Sequence, residues 1–234
     1  MHVSHDDARD AVLGALSRLA EVAGGLDDDA LLTPSRCLGW TTGDVLVHVH
    51  LGLQEMLLGV VATTGAEPDT DAAGYWRVPA PVTDAGPDEG ADADADRLAG
   101  AQFVRRLGAA YRRPSGVVGH LRPTVDGLAT AVGAMPAGAV RFQGRVLATG
   151  DFLATWAVEL AVHHLDLAPG LTLPPPAAPA LALGRATVEA LLGAALPAPW
   201  DDGTVLLVGT GRAAPDERQA AEAGPVGARL PVLG

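Results

Sequence analysis

Lysine, isoleucine and asparagine are absent from this sequence of 234 residues, and cysteine occurs once. Without lysine, neither Schiff-base catalysis nor a P-loop phosphate site is available. The single cysteine, Cys37, cannot form an intramolecular disulfide, which is typical of a protein in a reducing cytoplasm. No serine lies in a Gly-x-Ser-x-Gly sequence, so the nucleophile elbow of an α/β-hydrolase is excluded.

Long apolar runs and basic segments are also missing. No stretch of roughly eighteen apolar residues is free of glycine, proline or charge, so no membrane span is expected. The first residues lack the pattern of a signal peptide. The net charge is -12 and all 16 basic residues are arginine, which argues against a nucleic-acid partner. The composition predicts a soluble, globular, cytoplasmic protein, and we expect it to be a monomer or homodimer.

Hydrophobic periodicity predicts a mainly α-helical fold. Helices are expected over about residues 4–23, 41–61, 97–135 and 151–167, the third broken or kinked at its prolines, Pro114 and Pro123. The apolar stripe of the second helix consists of Val45, Val49, Leu53, Met56 and Val60. A short hairpin is expected within residues 140–147, around a Gln-Gly pair.

Two further segments have less clear patterns. Residues 63–96 predict a long loop at the mouth of a pocket, and its acidic end is interpreted as a solvated face. Residues 171–234 predict one helix, over 181–196, and two short strands, over 204–208 and 229–233. Because so few elements cannot bury a large core, we expect a small C-terminal α+β appendage packed on a helical domain of residues 1–170.

The most informative residues are Glu159 and His163 in the helix over 151–167. At a spacing of i, i+4 they share one face, and a carboxylate in an apolar helix needs a partner or a metal. His48, in the middle of the second helix, is the candidate third member. Two imidazoles and one carboxylate are a ligand set of catalytic zinc, although side-chain pairing without chemistry explains the same spacing.

Other polar residues have simpler interpretations. His50 points away from His48 around the helix, and His2, His5 and His120 are expected to be structural or exposed. Asp44 and Asp166 either orient an imidazole or cap and solvate helix ends. Cys37 is either a nucleophile at a helix start or a buried thiol packed near Trp40.

Two motifs resemble those of one known family. Cys37-Leu-Gly-Trp-Thr-Thr-Gly-Asp-Val-Leu-Val-His48 and Glu159-Leu-Ala-Val-His163-His164-Leu-Asp166 are similar to motifs of the mycothiol-dependent maleylpyruvate isomerase family. That family belongs to the DinB-like superfamily of four-helix bundles, and the likeness covers about residues 5–168. The lack of Lys, Ile and Asn favours a GC-rich genome such as that of an actinomycete, where mycothiol is made.

The resemblance implies a divalent metal, usually zinc, held by His48, Glu159 and His163, with mycothiol as cosubstrate. The metal would activate the thiol for attack on an electrophilic small molecule, in a cis-trans isomerase or a thiol transferase. An arginine would hold the carboxylate of an acidic substrate, and the candidates are Arg212 in the tail and Arg77 in the loop. The tail is shorter than the resemblance leads us to expect for a dedicated isomerase.

Two other functions fit the same residues. In a metal-dependent hydrolase the metal would activate water, and mycothiol would not affect turnover. In a non-catalytic bundle the cluster would only help to bind a small molecule, without forming a product.

Overall fold

Helices make up most of the chain, as the sequence predicts. A computed structural model describes residues 1–77, 93–167 and 169–233. In these ranges the helices are α1 (His5–Gly25), α2 (Asp28–Leu31), α3 (Thr42–Val61), α4 (Ala93–Ala109), α5 (Gly116–Ala134), α6 (Thr149–Asp166), α7 (Ala178–Leu192), α8 (Asp202–Gly209) and α9 (Glu217–Gly227). The strands are β1 (Thr63–Thr64), β2 (Ala139–Phe142) and β3 (Arg145–Ala148). The mainly α-helical class is confirmed.

Four long helices, α1, α3, α5 and α6, form a bundle around one apolar core. α1 packs along α5 and α6, and α3 packs against the same two helices. The first two predicted helices begin where the sequence places their caps. Ser4 Oγ accepts a hydrogen bond from Asp7 N, and Thr41 and Asp44 form a reciprocal capping box. The predicted stripe of α3 is buried as expected, at Val45, Val49, Leu53, Met56 and Val60.

α6 is the central helix of the bundle. Every residue in it is buried except Trp156, Glu159 and Leu165. Its first turn docks on the amino terminus, where the buried Asp151 accepts a hydrogen bond from Val3 N at 2.8 Å. Because packing surrounds this helix, the side chains that it presents have little positional freedom.

The predicted hairpin is confirmed and consists of the antiparallel strands β2 and β3. Gln143 (φ 46°) and Gly144 (φ 74°) occupy the turn, and both have the positive φ that a type I′ turn requires. β1 pairs with β2 and completes a three-stranded sheet. The turn brings Gln143 to Tyr75, whose hydroxyl donates to Gln143 Oε1 at 2.9 Å.

The predicted loop over 63–96 contains short regular elements where the structure describes it. β1 lies at its start, a 3-10 turn spans Gly74–Arg77, and α4 begins four residues before the expected start at Arg97. Most of the acidic residues interpreted as a solvated face lie outside the described residues: Asp84, Asp88, Glu89 and Asp92. Asp94 and Asp96 belong to α4, and their side chains also lie outside the described part.

The two prolines of the third predicted helix have different effects. Pro114 lies in the break between α4 and α5, as predicted. Pro123 lies inside α5 and does not end it. Proline has no N–H to donate to the carbonyl one turn earlier in the helix. Because Pro123 lies on the exposed side of α5, water can bind that carbonyl instead.

The strands predicted in the tail are wrong. Residues 204–208 belong to the helix α8, residues 229–233 form no strand, and α9 was not predicted. Asp201 caps α8 by accepting a hydrogen bond from Thr204 N, and Val205, Leu206 and Val208 are buried. A short apolar run buried on several sides cannot be assigned to helix or strand by periodicity, which explains the error.

The described tail is thus helical rather than α+β. Its helix α7 packs on α1 and α6, and α8 packs on α7. A division of the chain into domains near residue 170 stays a prediction.

Among the helices that the structure describes, one is long and apolar enough to cross a membrane by length and composition. This helix is α3, whose most apolar window has a hydropathy of 1.3 and is 44% buried within the fold. Its buried residues face α5 and α6, as those of a bundle core helix do.

The contact between α3 and α6 leaves no room for a side chain at Gly59. An added Cβ would lie 2.6 Å from Phe152 Cζ and 2.9 Å from Phe142 Cδ2. We expect Gly59→Ala to lower the free energy of unfolding by about 1–3 kcal/mol. The matched control is Gly127→Ala on the exposed side of α5, where a Cβ meets nothing within 4 Å and should stabilise by about 0.5–1 kcal/mol. Urea denaturation of both variants measures the difference, and equal stabilities would contradict the close packing.

Candidate active site

Three residues predicted from separate parts of the sequence lie side by side. His48 is in the middle of α3, and Glu159 and His163 are one turn apart on α6. The rings of His48 and His163 meet edge to face, with centroids 4.7 Å apart. Glu159 Oε2 lies 3.2 Å from His163 Nε2. The structure therefore brings His48 close to His163, which in turn contacts Glu159, between two core helices.

Asp166 fixes the orientation of His163. Its side chain is fully buried, and its Oδ2 lies 3.0 Å from His163 Nδ1. Its Oδ1 accepts a hydrogen bond from Arg212 Nε at 2.7 Å. Burial acts to raise the pKa of Asp166, but the hydrogen bonds from His163 and Arg212 outweigh burial and lower it. Asp166 is therefore an ionised carboxylate that directs the other ring nitrogen of His163 toward Glu159.

The pKa shifts indicate one neutral ring, one protonated ring and one ionised carboxylate in the cluster. Burial and the charge of His163 lower the pKa of His48 to about 4, so its ring is neutral near pH 7. Burial acts to lower the pKa of His163, but hydrogen bonds with Asp166, Cys37 and Glu159 raise it well above its ordinary value. Burial acts to raise the pKa of Glu159, and the hydrogen bond from His163 lowers it overall. A metal ion that displaced the His163 proton would meet a ready carboxylate and a free imidazole.

Cys37 lies beside both His163 and Asp166. Its Sγ is 3.3 Å from Asp166 Oδ2, and its carbonyl accepts a hydrogen bond from Trp40 N at 3.0 Å. The expected neighbourhood of Trp40 is present, yet the thiol also contacts the charged cluster, which the sequence did not indicate. Among the described residues, the three-residue donor group whose ligand atoms all lie within 4.8 Å of one another is Cys37, His163 and Asp166, which shares only His163 with the predicted set.

A cavity of about 110 Å³ opens beside the cluster of His48, Glu159 and His163. Its lining includes the three clustered residues His48, Glu159 and His163. The remaining walls combine apolar and polar side chains together with one glycine: Val49, Gly52, Leu53, Glu55, Tyr75, Gln143, Thr155, Trp156 and Leu160. This arrangement can hold a small molecule against the cluster and away from bulk water.

The polar part of the cavity wall is a short hydrogen-bonded chain. The Tyr75 hydroxyl donates to Gln143 Oε1 at 2.9 Å, and Gln143 Nε2 donates to Glu55 Oε1 at 2.8 Å. Burial and the charges of Glu159 and Glu55 raise the pKa of Tyr75, so its hydroxyl stays protonated. Sequence reasoning missed these three residues, because the Gln-Gly pair signals only a turn and nothing marks Tyr75 or Glu55.

Comparison with known proteins points to one family. The mycothiol maleylpyruvate isomerase N-terminal domain family matches residues 12–168, which is more than half of the chain. The chain belongs to this family. Its membership confirms the resemblance of the two motifs and the prediction that the protein is an enzyme.

Two solved structures are similar to this member of the isomerase family. One is the mycothiol-dependent maleylpyruvate isomerase, with a TM-score of 0.56 and 14% sequence identity. The other is a histidine-to-alanine mutant of a protein described in the same words, with a TM-score of 0.58 and 13% identity. In both cases 90% of each chain is covered. At this identity the likeness shows a shared fold. No curated protein matches the chain.

The range that matches the isomerase family includes the clustered residues His48, Glu159 and His163 but not Arg212. Arg212 reaches the cluster from the tail through its ion pair with Asp166. The metal-binding role of the three residues and the substrate-binding role of Arg212 stay predictions.

The remaining candidates have partners outside the cluster. His50 is buried and its ring lies 6.4 Å from that of His120, so it faces away from His48 as expected. Asp44 caps α3, and Arg77 donates to the carbonyl of Ala190 at 3.1 Å. The other histidines contact groups of the fold: His2 with Asp151, His5 with Thr149 and Met135, and His164 with Pro174.

Proposed function

We propose that this protein is a mycothiol-dependent enzyme of the maleylpyruvate isomerase type, in which a divalent metal, zinc, is held by His48, Glu159 and His163. The observation that carries the proposal is the meeting of these side chains at the base of a small cavity. The reaction is a cis-trans isomerisation or a thiol transfer on an electrophilic small molecule. The single free cysteine and the net charge support a cytoplasmic enzyme without a nucleic-acid partner.

The donor set supports zinc as the metal. Zinc sites in enzymes combine imidazole and carboxylate ligands and leave one position open. A ligating histidine commonly donates its other ring N–H to a carboxylate, as His163 does to Asp166. The donor group that includes Cys37 fits less well. Both oxygens of Asp166 are already engaged there, and the guanidinium of Arg212 would repel a cation.

When bound, the zinc would lower the pKa of a coordinated thiol, so that a thiolate is available near pH 7. Asp166 holds the proton on His163 Nδ1 and leaves Nε2 directed toward Glu159. Arg212 keeps Asp166 ionised through its hydrogen bond from Nε. The apolar walls at Leu53, Trp156 and Leu160 exclude water from an electrophile in the cavity.

The test combines metal content with thiol dependence. Protein purified without chelators should contain about one equivalent of zinc, as a single three-residue site predicts. Turnover of an activated cis alkene should require mycothiol, and removal of the metal should abolish it. Cys37→Ser is the control variant, since it should retain the zinc.

Each contrary result identifies a different function. Turnover that is unchanged by mycothiol would indicate a hydrolase. Saturable binding of small molecules without any product would indicate a binding protein. Loss of the metal in Cys37→Ser would place it in the donor group of Cys37, His163 and Asp166 instead.

A further inference from the structure

We propose that the cavity accepts an uncharged electrophile, such as an α,β-unsaturated ester, amide or ketone, rather than a dicarboxylate. This inference rests on the proposed function, since it names the substrate class of the same site. It departs from the expectation that an arginine holds a substrate carboxylate.

The first observation is the charge of the cavity wall. Within the described part of the chain, the lining side chains include two carboxylates, Glu55 and Glu159, and no arginine or lysine. The two positive charges of a bound zinc ion would be balanced by Glu159 and the mycothiol thiolate, so Glu55 would leave a net negative charge on this wall. A dianionic substrate would lie beside this carboxylate, and we expect the repulsion between like charges to weaken its binding by about tenfold.

The second observation is that Glu55 is held at the cavity. Gln143 Nε2 donates to Glu55 Oε1, and the Gln143 carbonyl oxygen is engaged by the Tyr75 hydroxyl. Gln143 itself is fixed in a tight turn with a φ of 46°. Glu55 is exposed, and this hydrogen bond holds its negative charge at the solvent-accessible edge of the cavity.

The third observation concerns the arginines nearest to the site. The guanidinium of Arg212 is held in an ion pair with Asp166, and Arg77 donates to the carbonyl of Ala190. Arg145 donates to the carbonyl of Tyr75 and places its guanidinium 5.3 Å from the Tyr75 ring centroid. None of the three lines the cavity. The contacts of these arginines therefore support recognition of an uncharged molecule.

The reaction itself needs no charged substrate. The thiolate forms a C–S bond with one alkene carbon, and the π electron pair moves toward the neighbouring carbonyl. Rotation about the new single bond follows. The electron pair then re-forms the double bond as the C–S bond breaks, which releases the thiolate and the trans product.

A matched pair of electrophiles tests the inference. Dimethyl maleate and maleate differ in charge, and both isomerise to the trans form after thiol addition. For each alkene, the rate with enzyme and mycothiol is divided by the rate with mycothiol alone. This ratio, the rate enhancement, corrects for the different intrinsic reactivities of the two alkenes. We expect the rate enhancement for the diester to exceed that for the dianion by at least about tenfold. An equal or larger enhancement for maleate would overturn the inference.

A binding measurement separates this inference from the proposed function. Dimethyl succinate and succinate are unreactive analogues, and their binding can be followed by the change in tryptophan fluorescence, since Trp156 lies in the cavity wall. Tighter binding of the diester without turnover of either alkene would support the substrate class and contradict the proposed function. Tighter binding of succinate would overturn the substrate class alone.

Substitution of Glu55 tests the cause of the selectivity. Glu55→Gln should reduce the preference for the diester by about threefold or more, because it removes one negative charge from the wall. Glu67→Gln is the control, since Glu67 is exposed and does not line the cavity. An unchanged preference in Glu55→Gln would overturn the assignment of selectivity to this carboxylate.

Discussion

Replacement of His48 by alanine is expected to remove the bound metal and to lower the mycothiol-dependent kcat/KM by about 1,000-fold or more, or about 4 kcal/mol. His48 is the ligand that α3 contributes, whereas Glu159 and His163 both come from α6. Two ligands on one helix would bind a divalent ion much more weakly than three. Elemental mass spectrometry and steady-state kinetics on the same protein sample measure both effects.

His50→Ala is the matched control, because it removes an imidazole two residues away on the same helix. His50 is buried and its Nε2 lies 3.2 Å from Gln54 Nε2, on the side of the helix that faces His120. This variant should keep its metal and lose at most a few-fold in kcat/KM, even if its stability falls. Metal loss in His50→Ala, with retention in His48→Ala, would show that the site is built differently.

The helices of the bundle could be predicted because their signals are local. Thr41 and Asp44 begin α3 through side chains three residues apart, and the apolar stripe of that helix repeats at helical spacing. The Gln143-Gly144 pair marks a tight turn because both residues adopt positive φ there. Such features depend on neighbours within a few residues, which the sequence displays directly.

The tail could not be predicted in the same way. The run Thr204–Val208 is rich in β-branched and apolar residues, which favours a strand on propensity alone. Asp201 instead caps a helix whose buried side chains pack against α7, where Gly184 allows Leu206 to approach closely. The helix is selected by this packing, and a pattern only eight residues long does not reveal it.

Part of the candidate site could also be predicted. A carboxylate and a histidine one turn apart on a nearly apolar helix indicated the cluster, and mid-helix His48 supplied its third member. The cavity wall of Tyr75 and Gln143 could not be predicted, because these residues are 68 positions apart in sequence and meet only when the hairpin folds over the 3-10 turn. Long-range contacts of this kind leave no periodic trace in one sequence.

Asp166→Ala is expected to lower the free energy of unfolding by about 3 kcal/mol and to weaken metal binding. The variant leaves the guanidinium of Arg212 without its carboxylate and His163 Nδ1 without its acceptor. Arg212 is only partly exposed, with 21% of its side chain accessible, so water compensates little for the lost partner. Asp166→Asn keeps the shape and should reduce metal affinity by about 10–100-fold, as loss of a partner of a ligating histidine does.

The double variant Asp166→Ala/Arg212→Ala distinguishes an ion pair from ordinary packing. If Arg212 destabilises Asp166→Ala as an unpaired charge, the double variant should lose less free energy of unfolding than the two single variants lose together.

Folding lowers the pKa of Asp166. Its contribution to stability is therefore present above an unfolded-state pKa of about 4 and is lost as the pH falls below that value. Urea denaturation from pH 7 downward should therefore show the difference between wild type and Asp166→Ala shrinking at acid pH. Strictly additive losses that do not depend on pH would mean that Asp166 acts by packing alone.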